Sequence, residues 1–413
     1  MEYGNLTWRK DERGFITRMK YDVVRGVMTQ RIEDVDTSQT SDEPDEWSTP
    51  GGGGLHLASD FEYDDEGRMT QILGPSHTAE IGGSGTTVRA ASWTVYKEEH
   101  RPDEGTWESD QVWSAQGYAT GSGPGYTYTL VDPVSIRKQD KQGRTTDSIV
   151  SARTSGSGKL SAGDSFAQGD WKRWSSTQYD GQGRVSSTRV YHAIPGTGTG
   201  SAGTNYGQSD YGYDEMNRRD RVRSPGGTIT RTVYDARGRV ASVWVGTDDE
   251  PASGEWSPGN LTGTDMKKVT EYVYDGGGAG GDGNVTSVTQ YAADADTRVT
   301  TYTYDFRNRR TPEDGEVDHY AEYTYDNMDR VTKVDRKNTS SGGNLIARSE
   351  TKFDNRGRVY QQITYAVNPA NGSVGNALTA NNWYDASGNL IKSIAAGAGK
   401  VHVKHVYDGL GPV

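Results

Sequence analysis

The sequence contains no cysteine, so it offers no disulfide framework, no thiolate metal site and no thiol nucleophile. That absence gives no disulfide evidence for secretion and does not exclude it. Phenylalanine is scarce, with 5 residues against 25 Tyr and 10 Trp. No apolar run approaches the length of a membrane span. The first residues, Met1-Glu2-Tyr3-Gly4, carry no basic and then apolar leader. Basic residues are outnumbered, 45 Lys and Arg against 57 Asp and Glu, for a net charge of −12. Nucleic acid is therefore not expected as a partner, because phosphates demand cations in excess. Helical periodicity is missing too, beyond single turns at Asn368-Pro369-Ala370 and Ala377-Leu378-Thr379-Ala380. Hydrophobic residues make up 31% of 413 and glycine contributes 54. A core rich in Tyr rather than Leu suits a broad sheet whose hydroxyls reach polar partners.

What is present is a repeat. Tyr302-Thr303-Tyr304-Asp305-Phe306-Arg307-Asn308-Arg309 recurs 21 residues later as Tyr323-Thr324-Tyr325-Asp326-Asn327-Met328-Asp329-Arg330-Val331. Alternation of Tyr and Thr has the period of a strand. The Asp opens a turn, since its carboxylate accepts backbone N–H groups two residues on. Gly, Asn or Asp three positions later suits a positive φ. Arg and an aliphatic residue begin the return strand, so each copy predicts a β-hairpin. The turn aspartates are Asp64, Asp180, Asp214, Asp235, Asp305, Asp326, Asp354 and Asp385. Asp275 opens a copy stretched by glycines, and Asp408 opens one cut off at Val413. Weaker copies sit at Asp11, Asp22 and Asp140.

The expected fold is all-β, a repeat array of β-hairpins forming a long coiled sheet. Residues 1–170 form a divergent region with a Trp-containing insert at about 74–130, and 171–413 a regular region truncated at its C-terminal end. Polar, Gly-rich stretches at 37–54, 192–209, 247–265, 276–283 and 366–380 read as loops. A start inside repeat-like sequence and a finish inside a hairpin turn predict a segment of a longer protein.

Each candidate for chemistry has a structural counterpart. A turn Asp has the residue type of a catalytic or metal carboxylate, but a dozen repetitions favour turn capping. The repeat Arg is expected to lie over Tyr rings or to pair with a carboxylate. The glycine stretch Gly277-Gly278-Ala279-Gly280-Gly281-Asp282-Gly283-Asn284-Val285 approaches a calcium-binding nonapeptide, in one copy only, and reads better as an insert in the Asp275 turn. Asp248-Asp249-Glu250 and Asp294-Ala295-Asp296 are acidic loops that alone lack the ligand count of a calcium site. His402 and His405, three apart on a strand, point to opposite faces and make no metal pair. Neither a metal nor a cofactor is expected, and no catalytic constellation stands out. Trp107 and Trp113 lie in a polar, acidic context and are the candidates for stacking on a glycan; the other reading packs them under the insert.

The motif Tyr-Asp-x-x-Gly-Arg-Val, as in Tyr179–Val185, Tyr234–Val240 and, with Phe, Phe353–Val359, resembles the YD-repeat or rearrangement-hotspot (Rhs) family. That family includes bacterial polymorphic toxins, the shell subunits of insecticidal toxin complexes and the teneurin adhesion receptors. The resemblance implies a β-sheet strip coiled into a hollow shell, which encloses a C-terminal effector in the toxins and belongs to an adhesive ectodomain in teneurins. Toxin members end their shell in Asp-Pro-x-Gly motifs with an aspartyl self-cleavage site. Asp132-Pro133-Val134-Ser135 does not match that motif, so no catalytic residue carries over. The function expected is a non-enzymatic scaffold, a segment of an extracellular or cell-surface shell. The alternatives are a glycan-binding or adhesion module and a self-assembling extracellular filament subunit. The partners expected are the rest of a longer polypeptide, further copies joined by strand pairing, glycans or an enclosed effector.

Overall fold

The computed structural model describes residues 4–97, 110–275, 281–293, 296–316, 319–397, 399, 401–408 and 411–412. Their regular structure is almost entirely β-strand, with three single-turn 3-10 segments. The chain divides into two compact units, Met1–Gly212 with Arg223–Gly226, and Tyr213–Val222 with Gly227–Val413. The change in repeat regularity at residue 170 thus falls inside the first unit.

In the first unit the strands form a meander. Each one from Trp8–Lys10 to Tyr206–Tyr213 pairs antiparallel with the next in sequence. The insert is part of this sheet and not a loop upon it. Ser84–Lys97 pairs with Asp110–Thr120, which pairs in turn with Thr127–Gln139. Alternation along these strands turns Trp93, Trp113, Ala115, Val134, Ile136 and Ile149 into one buried cluster. Trp174, Tyr191 and Tyr206 extend it, with Trp174 and Tyr191 stacked at 3.7 Å. Gly117 is required here, because a Cβ would meet the Thr129 carbonyl oxygen at 2.0 Å and the Trp93 ring at 2.8 Å.

In the second unit the same rule holds from Ile229–Tyr234 to His402–Lys404. A small apolar cluster of Ile229, Trp244 and Met266 lies under the 247–265 segment, with Trp256 and Leu261 packed against it. The stretch 366–380, expected as a loop, is instead strand on both sides of a short turn. Val359–Asn368 pairs with Ser373–Tyr384, so Ala377–Ala380 is extended and not a helical turn. The reversal is made by Asn368, whose side chain takes the Ala370 N–H and whose carbonyl takes the Gly372 N–H. A tight Asx turn leaves the flanking Gly, Asn and Ala free to pair.

Candidate functional site

The recurring structure is the hairpin turn and its contact with the next one. At Asp326 the loop has three residues, closed by Asp326 N–H to the Arg330 carbonyl at 3.0 Å and Asp329 N–H to the Asp326 carbonyl at 3.2 Å. Its third residue has positive φ, 61° at Asp329, 60° at Asn308 and 82° at Gly238. A three-residue hairpin loop uses this left-handed position to match strand twist. The ring residue before the Asp sits at a β-bulge in copy after copy, as at Gln178/Tyr179, Val233/Tyr234, Thr324/Tyr325 and Lys352/Phe353. The bulge adds local twist and re-aims the ring.

In the regular copies both oxygens of the turn Asp are engaged by the turn itself. One oxygen of Asp326 accepts the N–H groups of Met328 at 2.9 Å and Arg330 at 3.1 Å. The other accepts Nε of Arg330 at 2.7 Å and Nη2 at 2.6 Å. The same set recurs at Asp140 and Asp235, and Asp354 takes the same two backbone N–H groups and Nε of Arg358. Asp64, Asp180, Asp214 and Asp305 likewise hold the Arg four residues on by backbone and side chain. Asp140, a weak copy by sequence, is therefore complete. Asp385 uses Asn389 in place of Arg. Asp275 holds Gly283 N–H and Asn284 across the lengthened loop, so the insertion leaves the ends of the turn intact. These bonds hold the carboxyls of Asp326 and Asp305 below the ordinary range, chiefly through the arginine side chain. At Asp235 and Asp354 the Arg backbone N–H leads.

The Arg then reaches the following unit. Its guanidinium lies over the next ring: Arg144 on Tyr179 at 4.3 Å, Arg239 on Tyr274 at 4.0 Å, Arg309 on Tyr325 at 4.8 Å, and Arg358 on Tyr384 at 4.6 Å. The two readings of the Arg, ring contact and carboxylate pair, are both realised by one side chain. That tyrosine hydroxyl donates back to the carbonyl of the residue after the Arg. Tyr179 reaches Thr145 at 2.9 Å, Tyr274 reaches Val240 at 2.9 Å, Tyr325 reaches Arg310 at 2.8 Å, and Tyr384 reaches Val359 at 2.8 Å. Burial pushes the Tyr274 and Tyr325 hydroxyls above the ordinary phenol value, so they stay donors at neutral pH. Where the next turn has glycine, the small residue makes room for the Arg: a Cβ on Gly357 would meet Nη1 of Arg330 at 3.1 Å. Where it has Asp329, the carboxylate takes Nη1 of Arg309 at 2.8 Å instead.

Other predicted sites fall differently. Trp113 is 3% exposed, edge-on to Phe166 at 5.1 Å and covered by Lys97 at 4.6 Å, so its ring offers no open face for a glycan. Trp107 and Asp294 lie outside the described residues, as does 277–280 of the glycine nonapeptide. The backbone of Asp408 pairs with Gly411. Asp249 lies in a loop as expected, between strands ending at Gly246 and beginning at Lys267, but it is not a free surface carboxylate. Its side chain is 2% exposed and takes Nε of both Arg221 and Arg231, at 2.7 and 2.6 Å. Burial raises its pKa, and the two guanidiniums outweigh that and hold it below the ordinary range. Sequence reading missed this cluster because the arginines lie on strands 28 and 18 residues away.

No family model matches the sequence, and no curated protein does either. Among solved structures the chain is similar to a chain of the TcdB2-TccC3-Cdc42 crystal structure, at 13% identity over 97% of this chain and 22% of that one, with a TM-score of 0.42. It is similar to a chain of TcdB2-TccC3 without its hypervariable C-terminal region, at 15% identity over 98% and 19%, with a TM-score of 0.44. A third is the Tc holotoxin pore of Photorhabdus luminescens with a TccC3 mutation, at 12% identity over 97% and 21%, with a TM-score of 0.40. The chain spans about a fifth of the length of these chains. Its own repeat is defined by the bonds above: Asp closes the turn, Arg clamps the Asp and covers the next ring, and the next Tyr hydroxyl returns to the backbone behind the Arg.

Proposed function

We propose that the chain is a structural scaffold, a segment of a YD-repeat shell that works outside the cell or at its surface and performs no catalysis of its own. The observation that supports this most is how the repeated polar groups are used. A catalytic carboxylate must present an oxygen to substrate, whereas Asp326 commits both oxygens to four donors of its own turn. The guanidinium of Arg239 gives Nε and Nη2 to Asp235 and lies over the Tyr274 ring. The chemistry is spent on joining one hairpin to the next, which is the requirement of a long sheet built from units that bury little apolar surface. The partners this reading implies are the remainder of a longer polypeptide and an effector segment enclosed by the scaffold.

The test is protection. A reporter peptide with a protease site is joined after Val413, and its cleavage is compared with that of the free peptide. Slow cleavage that becomes fast when Tyr274, Tyr325 and Tyr384 are changed together to Phe supports an enclosing scaffold. Cleavage at the free rate, with the β-sheet signal intact, contradicts the enclosing role.

A further inference from the structure

The first unit holds two opposite charges that line one hollow and do not pair with each other. Strand register sets them on either side of a serine: Ser176 is the cross-strand partner of Asp147 on one side and of Arg189 on the other. Directly opposed residues share a face of the sheet. Two strand spacings put the Cα atoms of Asp147 and Arg189 about 10 Å apart. All three residues line a cavity of about 530 Å³.

Each charge is held in place by neutral groups. Oδ1 of Asp147 accepts the Trp174 indole N–H at 2.8 Å, and Oδ2 lies 3.1 Å from the Thr146 hydroxyl. The carboxylate forms no ion pair among the described residues, and its remaining lone pairs can still accept. Arg189 gives Nε to Oε1 of Gln208 at 2.8 Å and lies over the Tyr206 ring at 4.9 Å. No carboxylate pairs with it among the described residues, and its two Nη groups make no hydrogen bond there. The nearby Tyr191 hydroxyl is buried without a partner, so it does not occupy them. In the same wall, Asp140 and Arg144 show the usual arrangement, paired at 2.6 Å.

We propose that the hollow over Ser176 is a subsite for a small amino-acid zwitterion, its carboxylate on the Nη groups of Arg189 and its ammonium on Asp147. Such a ligand supplies both missing charges at once. A simple anion would satisfy Arg189 and face Asp147, and a simple cation would satisfy Asp147 and face Arg189. A neutral ligand would leave both charges unpaired. Ser186, also in the wall, spends its hydroxyl on no group among the described residues and is open to the ligand. The volume falls in the range of small-ligand sites, about 300–1,000 Å³. This subsite stands apart from the turn bonds on which the scaffold reading rests.

The experiment titrates the full chain by calorimetry with L-serine, 4-aminobutyrate and 6-aminohexanoate, which differ in the separation of their charges. Acetate and methylammonium serve as the single-charge probes. At least one zwitterion is expected to bind, and each single-charge probe to bind about tenfold more weakly or worse, a difference of about 1.4 kcal/mol or more. Asp147→Asn keeps an acceptor for the Trp174 indole, and Arg189→Gln leaves the turns untouched. Each is expected to weaken zwitterion binding by a similar factor with the β-sheet signal intact. Absence of binding by all three zwitterions at millimolar concentration overturns the proposal. So does binding of acetate or methylammonium as tight as that of the best zwitterion, or binding that survives both substitutions unchanged.

Discussion

The strands from Met69 to Ser151 and those from Asp296 to Ile394 are equally well paired, yet they are held by different forces. The first region buries Trp93, Trp113, Val134, Ile136 and Ile149, each at 3% exposure or less. In the second, the buried hydrophobic residues among those described are Tyr320, Ala321 and Ile363. There the faces are half-open, and the turns are joined by Arg, Asp and Tyr. The first region carries the clamp as well, at Asp140 and Arg144, so the comparison teaches that an apolar face adds to the clamp there, whereas in the second region the clamp works with little burial beside it. Where the insert lengthens the strands beyond the reach of a turn, as in the 14 residues of Ser84–Lys97, burial takes over.

The largest expected effect is in the first region. Trp113→Ala should destabilise by about 3–5 kcal/mol, because it opens a cavity in a packed cluster. Trp383, 41% exposed in the second region, should cost less than about 1 kcal/mol on the same change, as surface substitutions do. Chemical denaturation of both variants checks the contrast. Equal losses would show that the two regions are held alike.

Next comes the buried ion cluster of the second unit. Asp249→Asn removes the charge between Arg221 and Arg231 and should cost about 3 kcal/mol, since two guanidiniums are left without their shared carboxylate. Protease sensitivity of 247–265 should rise with it. An unchanged melting curve would mean that the neutral amide serves as well as the carboxylate.

Acid should separate the regions more gently. The turn carboxyls of Asp305, Asp326 and Asp354 titrate below their unfolded value, held there by Arg side chains and backbone N–H groups. As pH falls, the unfolded chain therefore takes up protons first. The stability these groups contribute is full above about pH 4 and is lost as pH drops through their folded values. Hydrogen exchange by mass spectrometry, corrected for intrinsic rates, should show 296–394 losing protection before 84–151. Loss in the opposite order would contradict the assignment of the polar clamp.

What the sequence made legible was whatever is local. The Asp, the positive-φ residue and the Arg lie within five positions, so the turn could be read from spacing, down to Asn and Asp standing in for Gly at Asn308 and Asp329. Contacts to the next unit were not legible, because the connections vary. The tyrosine hydroxyl reaches back 15 residues from Tyr234 and 34 from Tyr179. The bulge before each Asp leaves no mark in composition. The strands flanking 369–372 were hidden because Gly, Ala and Asn are as common in loops as in exposed strands, and their pairing is set by a partner strand. For Trp113, alternation with Ala115 on a strand was the available signal for burial, and the acidic neighbourhood pointed the other way.

The central claim is that Arg and ring join consecutive hairpins, and a double-mutant cycle between Arg239 and Tyr274 tests it most directly. The guanidinium lies 4.0 Å from the ring centroid, and the two residues belong to successive turns. Arg239→Met, Tyr274→Leu and the double variant are measured by chemical denaturation. The expected result is a favourable coupling of about 0.5–1 kcal/mol. Strict additivity of the two substitutions would contradict it.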